Sequence, residues 1–552
     1  MIFALSLLLS LRTAWCLAPP LIHDEWESVD EMRARLDIDY DYEPQYVDSE
    51  HCRLLTEAEC EEFDQDYGRQ LRERRLNPSE GDFKVLVLLI KFSDHADKEV
   101  PPREYYEELF NGNGPSDINE VGSMKDWLNT NSMGKYKVQF DVRDWEVAPN
   151  TESFYAAGNA GRSSDLQEIY RDVLTKYDNE GSVTFTDGYI DTDGFLNHLV
   201  VIHSGIMAEI GDLSCIETSF LDRIWASGSY SPKGGDNVWR SKDWFEVGGL
   251  VIASAFDAPA CNKNTGEPIL EPVKLGVFAH EYCHGFGLVD LYDQGQQKLV
   301  VGGIGRFGIM SSSQGWDISL ATPGHLSSWS RERIGWMESI TIEKDGYYAL
   351  QPMEISSSAY KITHGYPEGE YLLIENKYPM LYDKDVEQGG IVVYHVDDTK
   401  DGQRERSYPG GEGWPAKHYR VAVVQADGQF HLEKGTDYGT KTDFFTKGMM
   451  LGSGGDQPNT DGYQSGVLTP TGISIEIMSD PGFLVVIRVS GFNSRSAGLN
   501  LDPGIAVDDK PSESPVEFDG DYSAKTSSDV LRWVLALFSG LGLMVGLAIA
   551  VL

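Results

Sequence analysis

The chain has 552 residues, 41% of them hydrophobic and 11% aromatic, enough apolar material for two or three compact units and too much for wholesale disorder. Its formal net charge of -41 repels nucleic-acid phosphates and anionic lipid surfaces, so no nucleic-acid partner is expected through bulk electrostatics. Acidity of this kind suits a soluble protein in an extracellular, cation-rich setting.

Residues 1–16, MIFALSLLLSLRTAWC, form an apolar run with small residues at Ala14 and Cys16, read as a signal peptide cut after Cys16. From Asp24 to Asp66 there are 17 acidic side chains against 3 basic ones, and this stretch gives way to Arg72-Glu73-Arg74-Arg75. That pattern resembles the processing site of furin-like proteases. Residues 17–75 are therefore expected to be an acidic propeptide released after Arg75 by such an enzyme, leaving Leu76 as the mature N-terminus.

Lys84 to Phe92, KVLVLLIKF, is a continuous apolar run of the kind buried on both faces of a sheet. An amphipathic stretch, Tyr105 to Phe110, and Gly122 to Leu128 read as helical; His198 to His203 is a second buried strand, and Gly276 to Phe286 a third strong helical segment. Strands alternating with helices predict an α/β domain over residues 76–340. Beyond Trp336 come short runs such as EYLLIENKY, GGIVVYHVD, YRVAVVQADG and FLVVIRVSG, separated by Gly, Asp and Pro. These predict an all-β, sandwich-like accessory domain over 341–492.

Residues 493–530 are rich in Ser, Asp, Gly and Pro and read as a flexible stalk. The chain then closes on an apolar tail, residues 531–552, in which Trp533 to Leu552 is long enough to cross a bilayer and has no basic residue after it. The tail predicts membrane attachment: first by exchange for a GPI anchor near Asp521 or Ser523, with a retained single span as the alternative. No Asn-x-Ser/Thr acceptor occurs, Asn77 being followed by Pro78, which excludes heavy N-glycosylation. Of the six cysteines, Cys215 and Cys261 are a plausible staple in an oxidising compartment, as are Cys52 and Cys60.

The chemistry centres on His280-Glu281-Tyr282-Cys283-His284. On a helix, His280 and His284 project from one face a turn apart, close enough for both imidazoles to reach one Zn²⁺. Glu281 points to a neighbouring side, free to take a proton from a water. A catalytic zinc needs a third protein ligand and an open position. Gly287 can end the helix in a left-handed turn, making Asp290 the nearest returning carboxylate, with Asp293 its rival. Asp187, Asp191 and Asp193 surround glycine turns with hard oxygens of the type calcium takes; Asp397, Asp398, Asp401 and Asp427 are weaker candidates.

The segment GVFAHEYCHGFGLVDLYD resembles the active-site segment of the immune inhibitor A peptidases, the M6 metallopeptidase family related to the metzincins. Further likeness lies in KVLVLLIKFSD, GSMKDWLNTNSMGKYKV, FLNHLVVIHSG, GIGRFGIMSSSQGW, PGHLSSWSRERIGW, EYLLIENKY and GGIVVYHVDD, covering about residues 80 to 490. The resemblance implies a metzincin-like fold and a secreted zinc endopeptidase acting on protein substrates, made as a zymogen, with structural calcium. It implies His280, His284 and Asp290 as zinc ligands, Glu281 as the base, and Met310 as the methionine turn beneath the metal. The sequence departs from common family forms at Cys283, where Gly is usual, and at Val289, where Pro is usual; Cys283 reads as a buried thiol. In the zymogen an acidic side chain of the propeptide, or Cys52 or Cys60 as a thiolate, could cap the metal. A catalytically silent adhesion module and a non-proteolytic metal hydrolase are the competing readings.

Overall fold

The computed structural model describes residues 79–492, apart from 163–165, 167, 184, 186–188, 191–194, 197, 231–238, 295–301 and 357, together with the backbone of Leu499–Asn500. The expected signal peptide, the propeptide with Cys52, Cys60 and Arg75, most of the stalk and the apolar C-terminal run lie outside the described residues. So do the calcium candidates Asp187, Asp191 and Asp193. Among the described residues no helix is long and apolar enough to cross a membrane.

The apolar run KVLVLLIKF lies in β1 (Gly81–Lys91). It pairs in parallel with β2 (Tyr136–Val147) on one side and with β3 (Leu199–Ile206) on the other. β4 (Ser227–Tyr230) forms the sheet edge antiparallel to β5 (Gly249–Cys261), which itself runs parallel to β3. β6 (Pro268–Pro272) folds back along the C-terminal half of β5. Because successive side chains of a strand face opposite ways, Val85, Val87 and Leu89 enter one core while Leu86, Leu88 and Ile90 enter another. Each such burial stabilises by roughly 1.5–3 kcal/mol, and that is why the run is apolar at every position rather than at alternate ones.

Helices α1 (Arg103–Asn111) and α2 (Met124–Asn131) cover the first face with Tyr106, Leu109, Phe110, Met124, Trp127 and Leu128. Ser123 caps α2: its Oγ accepts from Asp126 N, and the Asp126 carboxylate accepts from Ser123 N. Helix α3 (Glu168–Glu180) covers the other face through Ile169, Tyr170, Val173, Leu174 and Tyr177. The expected disulfide between Cys215 and Cys261 forms, with Cα atoms 5.8 Å apart, and ties the loop after β3 to the end of β5.

Two five-stranded, mostly antiparallel sheets follow. The first is built from β7 (Glu338–Thr341), β9 (Ser358–Ile362), β10 (Glu370–Lys377), β11 (Gly390–Asp397) and β12 (Val421–Val423). The second contains β8 (Gly346–Leu350), β13 (Met450–Leu451), β14 (Ser474–Ile477), β15 (Val485–Ser490) and β16 (Leu499–Asn500). They share a core in which Ile362, Leu372, Ile374 and Val393 meet Leu350, Ile475, Ile477, Ile487 and Val489. The reverse face of the first sheet, with Leu373, Val392, Tyr394, Val396, Val421 and Val423, joins the core of α1, α2 and β1. β10 and β11 are therefore buried at every residue, and the chain is a mixed α/β structure of several sheets.

Candidate metal centre

Helix α4 (Leu275–His284) is apolar nearly all round and buried along eight of its ten residues, as expected of an element packed from several sides. It approaches its surroundings closely: a Cβ at Gly276 would lie 2.2 Å from Ser313 O, and one at Gly228 on edge strand β4 would lie 2.0 Å from Glu281 O. Tyr282 fixes its inner face, with its hydroxyl 2.7 Å from that of Tyr136 and its ring stacked 3.9 Å from His198. Cys283 is a free, fully buried thiol of the same core, its pKa raised by burial, as read from the sequence.

The helix stops where Gly287 takes φ +83, a left-handed conformation that glycine adopts without a Cβ penalty. The turn brings Asp290 back onto the histidines. Its Oδ1 lies 3.1 Å from His280 Nε2 and 3.3 Å from His284 Nε2. Each ring is oriented through its other nitrogen, His280 Nδ1 donating to Ile309 O (2.9 Å) and His284 Nδ1 to Leu288 O (2.8 Å). With Nδ1 of each ring so engaged, Nε2 is the nitrogen turned towards Asp290 and the one left to bind a metal, the arrangement that outer hydrogen bonds impose on metal-binding imidazoles. The second oxygen of Asp290 accepts from Tyr292 OH (2.9 Å) and Gln294 Nε2 (3.4 Å).

Glu281 stands beside this group, its Oε2 4.0 Å from His284 Nε2. His280, Glu281 and His284 are the cluster of metal-ligating side chains found among the described residues. Asp290 approaches both imidazoles more closely than Glu281 approaches His284, which leaves Glu281 off a shared ion. A tetrahedron with metal–ligand bonds of about 2.0–2.1 Å has edges of about 3.3–3.4 Å. Two imidazoles and one carboxylate at such spacings fit zinc, with one position left open.

Electrostatics tie the same groups together. Burial opposes charging His284, but Asp290 and Glu281 outweigh it and hold its pKa up to about 9; His280 is raised for the same reasons. Against burial, the two imidazoles hold Asp290 well below the usual carboxylate range. Burial pushes Glu281 up, with His280 and His284 pulling the other way.

The rival ligand Asp293 is buried and pairs with Arg406 at 3.4 Å. Met310 is wholly buried in the core, and its carbonyl accepts from Leu291 N (2.7 Å), so the segment Ile309–Met310 braces both the helix histidine and the loop carrying Asp290. Asp397 is engaged by His418 and Thr399, Asp398 by Tyr371 and Arg420, and Asp427 by Gln429 and Thr442, while Asp401 is exposed. Sequence reasoning missed Tyr292, Gln294 and the close approach of Gly228. It also missed Glu209, whose carboxyl burial lifts to about 7, with Glu281 and Asp257 adding to the shift. Only the Gly-rich spacing around α4 hinted at such close contacts.

Residues 76–337 match the immune inhibitor A peptidase M6 catalytic domain. The chain is similar to the pre-pro-metalloprotease PrtV of Vibrio cholerae serotype O1, 23% identical over 289 residues, covering 45% of this chain and 29% of that protein. It is similar also to immune inhibitor A of Bacillus thuringiensis subsp. alesti, 27% identical over 241 residues, covering 38% of this chain and 33% of the relative. The chain thus spans about a third of the length of these curated relatives. Residues 76–337, with the paired histidines and returning aspartate within them, are thus an M6 metallopeptidase catalytic domain of the immune inhibitor A type.

Proposed function

We propose that the protein is a zinc-dependent endopeptidase hydrolysing internal peptide bonds of protein substrates, with His280, His284 and Asp290 as the zinc ligands. The observation that carries this reading is Asp290 Oδ1 placed 3.1 and 3.3 Å from the two imidazole nitrogens, with Glu281 alongside but off the shared position. Bound there, zinc supplies Lewis acidity, polarising a carbonyl and making water a nucleophile at neutral pH. Glu281 takes the proton of the attacking water on its carboxylate and delivers it to the leaving amine nitrogen. Ile309 O and Leu288 O hold the two rings in the one tautomer that offers Nε2. Beside Glu281, β4 is the last strand of its sheet among the described residues, and an extended polypeptide would pair with it as a further strand.

Glu281→Gln tests the assignment: zinc content per chain stays at the parent value while casein digestion falls by about 10²–10⁴-fold. Undiminished digestion removes Glu281 from the mechanism.

The same reading extends to the ends of the chain and to its division. The family match begins at residue 76, the residue after Arg75, which supports a zymogen cut there by a furin-like protease. We infer secretion followed by attachment at a membrane through the apolar C-terminal run, by GPI anchor or retained span; release by a phosphatidylinositol-specific phospholipase distinguishes the two. A metzincin-like catalytic domain followed by a β-sandwich-like accessory domain, with Met310 beneath the zinc and calcium at Asp187, Asp191 and Asp193, completes the proposal.

A further inference from the structure

A cavity in the β-rich part of the chain, lined by none of the proposed zinc ligands, lies between β11, β12 and the loops around residues 407–419 and 457–463. Its walls are largely aromatic. Tyr408 stacks with Phe430 (centroids 6.0 Å apart) and Trp414 leans on Tyr463 (4.6 Å), all four facing the same space. The cavity offers about 40 Å³ to the centres of water-sized groups. One water needs roughly 10–15 Å³ by that measure, so the space takes about three such groups.

Two buried titratable acceptors, His395 and Glu433, are among the residues lining this cage, and among the described residues no lysine or arginine lines it. His395 is 2% exposed and its Nε2 lies 2.9 Å from Glu370 Oε1. That oxygen already accepts the backbone N–H groups of Tyr463 (2.6 Å) and Gln464 (3.1 Å), so the imidazole is the donor towards Glu370. Burial holds the His395 pKa below its usual value, keeping the ring neutral, and Nδ1 is then a buried acceptor with no protein partner. The second acceptor is Glu433, 6% exposed, whose Oε2 accepts from Gln425 Nε2 at 2.6 Å. Burial lifts its carboxyl to about 7, as befits an acid without a counter-ion in contact. The neighbouring Lys434 directs its ammonium to Gln429 O (2.6 Å) and does not line the cavity.

We propose that this cavity binds the alkyl-ammonium end of a lysine side chain presented by a partner polypeptide. Aromatic faces attract a cation while packing its methylenes, Glu433 and His395 Nδ1 accept its hydrogens, and the available space matches an ammonium with two or three methylenes. The net charge of -41 draws cationic segments to the surface before docking. The site uses no zinc ligand and does not depend on the peptidase reading.

The test titrates the full chain with Nα-acetyl-lysine methylamide, with its neutral isostere Nα-acetyl-norleucine methylamide, and with a short lysine-containing peptide, following heat or tryptophan fluorescence. The lysine probe is expected to bind about tenfold or more tightly than the norleucine probe, and the peptide at least as well as the lysine probe. Glu433→Gln should erase that preference. Trp414→Ala, at a half-exposed position, should weaken the lysine probe while circular dichroism stays unchanged, which keeps the test open if Glu433→Gln fails to fold. Equal affinity for the two probes, no binding of lysine in the millimolar range, or a preference surviving both substitutions overturns the proposal. A peptide weaker than the free lysine probe overturns the polypeptide source.

Discussion

Replacing Gln403 by Met tests whether the β-rich part of the chain positions the metal centre from a distance. Gln403 is wholly buried. Its Nε2 donates to Leu291 O (3.2 Å) and Val421 O (2.7 Å), its Oε1 accepts from Val421 N (3.0 Å), and its own carbonyl accepts from Gln294 N (3.1 Å). The side chain thus pins the residue after Asp290 to strand β12. Methionine has a similar shape but cannot make these bonds; Leu291 O keeps its bond from Ile304 N (3.0 Å), while Val421 N and O lose their partner at about 1–3 kcal/mol each. With partial relaxation the expected loss of folding stability is about 3 kcal/mol or more, read by urea denaturation of the metal-free protein. Because the freed segment carries Asp290, zinc affinity against a competing chelator should also fall by about 10–100-fold. A variant that loses stability yet binds zinc within about twofold of the parent would show that the clamp is structural only, and the reasoning would be wrong.

The metal-free protein should carry a pH signature of His284. Its pKa rises from the usual 6.5 to about 9 on folding, so its contribution to stability is fully present below pH 6.5 and is lost as pH climbs through 9. Denaturation of chelator-treated parent and His284→Gln should therefore converge over that window, and a gap that widens with pH contradicts the shift. Zinc needs neutral imidazoles, so its binding at pH 7 should release protons, measurable by calorimetry in buffers of different ionisation enthalpy. Gly228→Ala places a methyl 2.0 Å from Glu281 O and should cost about 1–3 kcal/mol of stability and reduce kcat/KM with zinc retained; parent kinetics would refute the close approach. Removing the Cys215–Cys261 bond, which closes a loop with a sequence separation of 46, should cost about 2–4 kcal/mol, seen as a lower urea midpoint.

The residues alone determined the parts of this protein that depend on local periodicity. The unbroken apolar run from Val85 to Ile90 could only serve a strand covered on both faces, and it is divided between two cores. His280 and His284 had to share a face because a helix repeats every 3.6 residues, and Gly287 supplied the turn that brings Asp290 back to them. The choice between Asp290 and Asp293 was not legible, because it rests on Arg406, more than a hundred residues onward, which engages Asp293. Nor could short apolar runs such as EYLLIENK and GIVVYHVD reveal that their sheet is buried twice, by its partner sheet and by the helical layer around α4. Strand pattern records whether a face is dry but not what dries it. Which carboxylate meets the histidines, and which distant segments hold it there, were decided by packing between parts of the chain far apart in sequence.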